Sequence, residues 1–248
     1  MLVSGSGLNS ITAAKPRLAS TFEGPMHLSF FQNLLSYLVP VRVLTMQSPQ
    51  HDRLELYRYR SRWQLATGDA FYSDGAAYSP LRKAFAALRK QVSGWKDVLV
   101  LGAGIGSAVL VLDQKHRHRP QLTLVDTDEA ILQLAGELLA AEGHAGHVEL
   151  ICEDAERFVG LENRCFDAVV IDIFRGREVP AFAVSEVFLN ACLERLRPGG
   201  FLIMNFIINV EAEWERLEQT LTRVTPGYTV LAQGINRMIL WEKIPEKL

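Results

Sequence analysis

The chain of 248 residues is long enough for one large domain, or for one domain with a small appendage. Its composition, 48% hydrophobic and 22% charged, is that of an ordinary globular protein with a sizeable core. A formal net charge of −2 excludes an overall basic footprint for nucleic acid, and no apolar run reaches membrane-spanning length. We therefore expect a cytoplasmic protein that binds neither nucleic acid nor a membrane.

The first 75 residues predict a leader and a small β unit. Residues 1–25 show no periodicity and predict a flexible leader. Apolar residues at helical spacing predict a helix over residues 26–38, which Pro40 ends. Three strand-like runs follow, at residues 41–46, 54–59 and 63–67. We expect residues 26–75 to form this helix and β unit, and residues 76–248 to form the main domain.

From residue 78 onward the pattern alternates helix and strand, which predicts a parallel sheet covered by helices. The predicted helices are residues 78–91, 107–114, 129–142, 185–196 and 211–224. The predicted strands are residues 97–101, 122–125, 148–151, 166–173 and 201–205, followed by a hairpin of residues 228–232 and 237–242. Five parallel strands and a terminal antiparallel hairpin indicate the Rossmann-like, seven-stranded α/β fold of class I methyltransferases rather than a dinucleotide dehydrogenase.

The cysteines and histidines form no metal or disulfide pattern. Cys152, Cys165 and Cys192 are scattered without a Cys-x-x-Cys pair, so we expect buried free thiols in a reducing compartment. The six histidines lack the spacing of a ligand set, and we therefore expect no metal site.

The run DVLVLGAGIG, residues 97–106, predicts a strand buried on both faces and a tight turn into a helix. Gly102, Gly104 and Gly106 let the backbone turn sharply and let a ligand approach it, at the positive end of the following helix. Asp126 ends the next predicted strand about twenty residues later, an offset at which a carboxylate binds ribose hydroxyls. The pattern predicts a nucleoside site, although a helix-capping Asp in a ligand-free loop is an alternative.

Two further acids follow predicted strands, and the ends of parallel strands meet at one edge of the sheet. Asp154 is placed to accept a hydrogen bond from an adenine amino group, with Ala155 offering its backbone N–H. Asp172 emerges from an apolar strand, where a carboxylate can orient or deprotonate a nucleophile. For each acid, capping of the next helix or loop is the alternative.

These motifs resemble the spermidine synthase family, the polyamine aminopropyltransferases on a methyltransferase-like fold. The resemblance rests on Leu54 to Leu56, Arg62 to Leu65, Val98 to Gly106, Val125 to Asp128, Glu153 to Ala155 and Asp167 to Asp172. It implies a homodimer that binds decarboxylated S-adenosylmethionine and transfers its aminopropyl group to a small-molecule acceptor. The apolar helix around Phe30 and Phe31 favours an interface in the N-terminal region.

The resemblance also implies roles for individual residues. Gln64 matches a glutamine near the donor, although Arg60 and Ser61 replace the Asp-Gly of the family motif. Asp126 matches the ribose-binding acid, Asp154 the adenine-contacting one, and Asp172 the aspartate that helps deprotonate the attacking amine. Tyr72 matches a catalytic tyrosine of the family, although Ser73 and Asp74 replace the His and Glu that follow it.

Two departures from the family concern the substrate. Ile105 stands where the family has an Asp that holds the amine of the donor. Arg175 stands where a second Asp seats the polyamine, and Tyr78 is expected beside it in the substrate pocket. An arginine repels a dication, although Glu178 could offset it. We therefore expect a neutral, anionic or monocationic acceptor rather than putrescine.

Three other functions remain open from the sequence. A methyltransferase that uses intact S-adenosylmethionine is compatible with Ile105. A non-catalytic nucleoside-binding or scaffold protein is disfavoured by Asp172. A dehydrogenase is disfavoured further, because Ser107 holds the third glycine position of Gly-x-Gly-x-x-Gly.

Overall fold

The computed structural model describes residues 28–67 and 71–245, except for the side chains of Phe71 and Tyr72. The predicted leader, residues 1–25, and the predicted catalytic side chain of Tyr72 lie outside the described residues. Within these ranges the chain forms a small antiparallel sheet and a seven-stranded, mostly parallel sheet with helices on both faces. The predicted α/β fold is confirmed.

The N-terminal unit is one short helix and a four-stranded sheet. Its elements are α1 (Phe30–Leu35), β1 (Val41–Ser48), β2 (His51–Tyr59), β3 (Arg62–Thr67) and β4 (Phe71–Ser73), with the strands antiparallel in the order β1-β2-β3-β4. Helix α1 is shorter than predicted. It begins after Ser29, because the Ser29 side chain accepts from the Gln32 N–H and the Gln32 side chain accepts from the Ser29 N–H.

The large sheet has the five parallel strands and the terminal antiparallel hairpin that the sequence predicts. Its strands are β5 (Asp97–Leu101), β6 (Gln121–Asp126), β7 (Val148–Cys152), β8 (Phe166–Ile171), β9 (Leu196–Ile207), β10 (Thr229–Gln233) and β11 (Asn236–Glu242), in the order β10-β11-β9-β8-β5-β6-β7. Strands β5 to β9 are parallel, and β11 joins β9 antiparallel. The predicted start of β9 at Phe201 is wrong, because Leu196 already pairs with Phe166 across a register shift.

Seven helices accompany the large sheet in the described part of the chain. They are α2 (Ser79–Ala87), α3 (Arg89–Val92), α4 (Ser107–His116), α5 (Glu129–Ala141), α6 (Ala155–Leu161), α7 (Glu186–Glu194) and α8 (Glu211–Val224). The predicted single helix over residues 78–91 is wrong, since Leu88 leaves the helical conformation between α2 and α3. No helix in residues 28–67 and 71–245 is both long and apolar enough to cross a membrane.

The central strands are buried on both faces, as their apolar sequence predicts. In β5, Val98 and Val100 pack with α2, α3 and α4, whereas Leu99 and Leu101 pack with α6, α7 and α8. Ile105, just beyond β5, packs against the small sheet in a third cluster. The turn after β5 is therefore supported by apolar packing from the N-terminal unit.

The expectation that all three cysteines are buried is wrong. Cys192 is buried in the core, but Cys152 and Cys165 are exposed. Cys152 is the last residue of β7 and Cys165 immediately precedes β8, so both lie where strands reach the surface.

Candidate functional site

A cavity of about 650 Å³ lies at the carboxyl ends of β5, β6, β7 and β8. Pro49 and Gln50, between β1 and β2, and His51, the first residue of β2, also line it. The predicted site residues that line it are Tyr78, Gly102, Gly104, Asp126, Asp154, Ala155, Asp172 and Arg175. Side chains that are distant in sequence thus meet at the edge of the sheet where ligands bind in this kind of fold.

The glycines of the turn after β5 serve packing as well as access. A Cβ atom at Gly102, where φ is +93°, would lie 2.2 Å from the carbonyl oxygen of Asp172. A Cβ atom at Gly106 would lie 2.7 Å from Leu139, and Gly106 is not among the residues that line the cavity. Gly104 lines the cavity with a φ of +49°. Gly102 therefore lets β5 and β8 approach closely, and Gly106 seats α4 against α5.

Ile105 points away from the cavity. Its side chain is 1% exposed and packs with Leu54, Leu56 and Leu65 of the small sheet. The position that carries an acid in the spermidine synthase pattern is thus part of the hydrophobic core in this chain.

Asp126 connects the end of β6 to the glycine turn. Its Oδ2 accepts a hydrogen bond from the N–H of Ala103 at 3.0 Å, and its Oδ1 accepts from the N–H of Asp128 at 3.0 Å. Burial raises the pKa of Asp126, and the two backbone hydrogen bonds oppose this effect. Each carboxylate oxygen has a second lone pair, so Asp126 can still accept hydrogen bonds from a ligand.

Asp154 is both a helix cap and a cavity residue. Its Oδ1 accepts from the N–H groups of Glu156 at 2.9 Å and Arg157 at 3.1 Å, at the start of α6. Within the described part of the chain, no hydrogen bond to Oδ2 is found. The two interpretations made from the sequence, capping and ligand binding, therefore use different oxygens of one carboxylate.

Asp172 is held by hydrogen bonds from two neighbours. Its Oδ1 accepts from the hydroxyl of Tyr78 at 3.1 Å and from Nδ2 of Asn205 at 2.9 Å. Asn205 is in turn oriented by Asn236, whose Nδ2 donates to the Asn205 Oδ1 at 2.9 Å. Burial raises the pKa of Asp172 to about 6, although both hydrogen bonds act to lower it. A carboxylate with this pKa is suited to accept a proton near neutral pH.

Asn205 is a site residue that sequence reasoning missed. It is 1% exposed and lies within the apolar strand β9. Its signal in the sequence was a lone amide in the run Phe201 to Phe206, since a buried amide needs hydrogen-bond partners. Its partner Asp172 could not be inferred, because it lies on a different strand.

Gln64 does not line the cavity. It is 8% exposed, and its Nε2 donates to Oδ1 of Asp74 at 2.8 Å. The adjacent Ser73 does reach the cavity, where its hydroxyl lies 2.5 Å from that of Ser107. Gln64 thus contacts the segment that borders the cavity, and its predicted donor contact stays a prediction.

Arg175 lies in a turn that follows β8. Its N–H donates to the carbonyl oxygen of Glu178 at 2.9 Å, and the Glu178 N–H donates back at 3.1 Å. Arg175 and Arg177 line the cavity, whereas Glu178 does not. Arg175 and Glu178 are therefore joined through their backbones. Their side chains form no ion pair in the described structure, so Glu178 does not offset the charge of Arg175.

Comparisons with known proteins find similar sequences. Residues 98–200 match the family model of a methyltransferase domain. The chain is similar to polyamine aminopropyltransferase 2 of Hyperthermus butylicus, with 34% identity over 115 residues that cover 44% of this chain and 37% of that protein. The matched part is thus well under half the length of this curated relative.

Several solved structures have a fold similar to that of this chain. A spermidine synthase in complex with the transition-state analogue AdoDATO matches with a TM-score of 0.64 and 16% identity, covering 82% of this chain and 73% of that chain. Human methyltransferase-like protein 13, in complex with SAH, matches with a TM-score of 0.55 and 20% identity, covering 68% of this chain and 84% of that chain. The resemblance predicted from the motifs is confirmed: the chain is similar in sequence to polyamine aminopropyltransferases and has the class I methyltransferase fold.

Proposed function

We propose that this protein binds an S-adenosylmethionine-type donor in the strand-end cavity and transfers a carbon group to a small acceptor beside Asp172. The observation that carries the proposal is one cavity lined by Asp126, Asp154 and Asp172. The ligands named for two structural neighbours, AdoDATO and SAH, support a donor of this type.

In the proposed complex the acids after β6 and β7 hold the nucleoside. Asp126 accepts hydrogen bonds from the ribose hydroxyls, which its remaining lone pairs allow. Oδ2 of Asp154 accepts from the adenine amino group while Oδ1 continues to cap α6. Ala155, at the first position of α6, offers its backbone N–H to the adenine ring.

The proposed chemistry is a nucleophilic displacement at a carbon bonded to the sulfonium of the donor. A nitrogen lone pair of the acceptor forms the new bond to this carbon, and the carbon–sulfur bond breaks with its electron pair going to sulfur. Asp172 accepts the proton that the acceptor loses, which its pKa of about 6 permits at neutral pH. Tyr78 and Asn205 hold the Asp172 carboxylate in place for this step.

An aminopropyl group is the first candidate for transfer, because the curated relatives are polyamine aminopropyltransferases. A methyl group is the second candidate, and the burial of Ile105 favours it. An acid at this position would hold the donor's amine in the family pattern, and here the side chain is enclosed in the core. The methyltransferase domain matched over residues 98–200 supports the same alternative.

A transfer assay separates these candidates. The protein is incubated with S-adenosylmethionine or its decarboxylated form and with candidate acceptors, and the nucleoside product is identified by chromatography. Methylthioadenosine reports aminopropyl transfer, and S-adenosylhomocysteine reports methyl transfer. We expect one of these two products to form, and we expect the Asp172→Asn variant to lose its formation. We also expect the turnover of putrescine to be far below about 1 s⁻¹, an ordinary enzyme rate.

Three results would contradict this expectation in different ways. Putrescine turnover near an ordinary enzyme rate would restore a plain spermidine synthase. Absence of binding by either donor would remove the proposed function altogether. Binding without turnover of any acceptor would favour the non-catalytic alternative.

A further inference from the structure

The half of the cavity next to β8 carries two arginines without a carboxylate partner. Arg175 and Arg177 both line the cavity, three and five residues after Asp172. Among the described residues, no ion pair within 4.0 Å involves either guanidinium. The ion pairs that other arginines of the described residues form all lie outside this loop. Two arginines without an ion-pair partner thus line the same cavity as Asp172.

Hydrogen bonds hold the loop that carries these arginines. The backbones of Arg175 and Glu178 exchange two hydrogen bonds around Gly176, whose φ is +62°. The side chain of Asn209, just after β9, donates to the carbonyl oxygen of Arg177 at 2.8 Å. Asn209 therefore ties the loop to the neighbouring strand, and the arginines are presented from a fixed backbone.

Charges are unevenly distributed across the cavity. On the side of β6 and β7, the carboxylates of Asp126, Asp128 and Asp154 all accept hydrogen bonds from backbone N–H groups. On the side of β8, one aspartate faces two arginines, which leaves a net positive charge. The planar guanidinium matches a carboxylate through paired hydrogen bonds, so this side favours a carboxylate over an ammonium group.

We propose that Arg175 and Arg177 bind the carboxylate of a ligand whose reacting atom faces Asp172. This inference rests on the proposed function, since it places the carboxylate in the same cavity as the nucleoside. Two molecules could supply the group: an intact donor through its amino-acid tail, or an acceptor that carries an amine at one end and a carboxylate at the other. In either case the carboxylate binds the same two arginines.

Calorimetric titrations of the full chain with matched probes test this assignment. S-adenosylhomocysteine, which has a tail carboxylate, is compared with methylthioadenosine, which has none. With methylthioadenosine at saturation, 4-aminobutyrate is compared with putrescine, since the two share a four-carbon chain and differ in one terminal group. The variants are Arg175→Gln, Arg177→Gln and their combination. Arg216→Gln on α8, at an exposed residue that does not line the cavity, is the matched control.

We expect at least one carboxylate probe to bind about tenfold or more tightly than its partner, and the double variant to abolish this preference. A preference for S-adenosylhomocysteine assigns the carboxylate to the donor, and a preference for 4-aminobutyrate assigns it to the acceptor. The inference is overturned if neither carboxylate probe is preferred, or if the preference survives in the double variant.

Methylthioadenosine separates this inference from the proposed function. It has no carboxylate, so its affinity should be equal in the wild type, the arginine variants and Arg216→Gln. Equal affinity also shows that the variants are folded. If the wild type fails to bind methylthioadenosine at all, the proposed function fails, whereas loss of the carboxylate preference alone overturns only the roles of Arg175 and Arg177.

Discussion

At the scale of single residues, the proposed chemistry depends on how Asp172 is held. The carboxylate lacks a cationic partner within 4.0 Å among the described residues, and burial therefore dominates its pKa. Tyr78 and Asn205 hold one of its oxygens and partly offset burial by stabilising the anion. The result is a base that is mostly ionised at pH 7 but still binds a proton readily.

This environment predicts a pH dependence of transfer. Asp172 must be deprotonated to accept a proton, and its pKa in the folded protein is about 6. Below that pH, kcat/KM should fall about tenfold per pH unit, as a single essential base requires. The measurement is a pH–rate profile with whichever acceptor the transfer assay identifies.

The Tyr78→Phe variant distinguishes Asp172 from other titrating groups. Removing the hydroxyl deletes a hydrogen bond that lowers the Asp172 pKa, so the acidic limb should move to higher pH. If the acidic limb of the pH–rate profile lies at the same pH in Tyr78→Phe as in the wild type, the titrating group is not Asp172.

Sequence reasoning found Asp172, Asp126 and Asp154 because each follows an apolar strand in a fold whose strand ends converge. It missed Asn205, and it could not show that Gln64 contacts Asp74, because both facts depend on pairing between distant segments. It also assigned all three glycines to a sharp turn and to ligand access. A Cβ atom at Gly106 would in addition meet Leu139, a contact that only the packing of α4 on α5 reveals.

At the scale of elements, the close approach of β5 and β8 positions Asp172. The Asp172 N–H donates to the carbonyl oxygen of Leu101 at 2.8 Å, at the ends of the two strands. Gly102 follows directly, and its missing side chain leaves room for the Asp172 carbonyl. A substitution at Gly102 should therefore disturb both stability and the position of the Asp172 carboxylate.

Gly102→Ala tests this contact, with Gly143→Ala as the matched control. Both glycines have positive φ, +93° and +80°, but a Cβ atom at Gly143 would meet nothing within 4 Å. Each alanine is destabilised by the left-handed backbone at its position. The clash of the added Cβ atom with the backbone of Asp172 should lower the free energy of unfolding of Gly102→Ala by about 1–3 kcal/mol more. Urea unfolding should show this extra loss, and equal losses in the two variants would contradict the proposed close approach.

The order of helices and strands was predictable because apolar residues recur at different spacings in the two, and because glycine and proline mark the breaks between them. The large sheet was predicted with its terminal hairpin, whereas the break at Leu88 and the early start of β9 were not. Leu88 is an ordinary residue for a helix, so its departure from the helical conformation depends on tertiary contacts. The same holds for β9, whose first residues pair through a register shift.

At the scale of the whole molecule, an apolar face of the N-terminal segment lies open. It consists of Phe30, Phe31, Leu34, Leu35 and Leu38, which are between 49% and 79% exposed in the described chain. Contiguous apolar surface of this kind marks an interaction site. We propose that a second copy of the chain covers it, as the homodimer implied by the family resemblance would require.

Light scattering of the wild type and Phe31→Glu tests this assembly. We expect a dimer at micromolar concentration that Phe31→Glu converts to a monomer, because a buried charge without a partner opposes association. Val187→Glu is the control, since Val187 is 75% exposed on α7 and lies outside this face. A monomeric wild type, or equal effects of the two variants, would count against the proposed interface.

The central claim is that the strand-end cavity binds a nucleoside, and titration of methylthioadenosine into wild-type and Asp154→Ser protein tests it most directly. Serine caps a helix about as well as aspartate, so α6 and the melting temperature should be preserved. The substitution removes Oδ2, which the proposed adenine contact requires. We predict binding by the wild type and affinity weaker by about tenfold or more in Asp154→Ser. No binding by the wild type, or equal affinity in the folded variant, would contradict the claim.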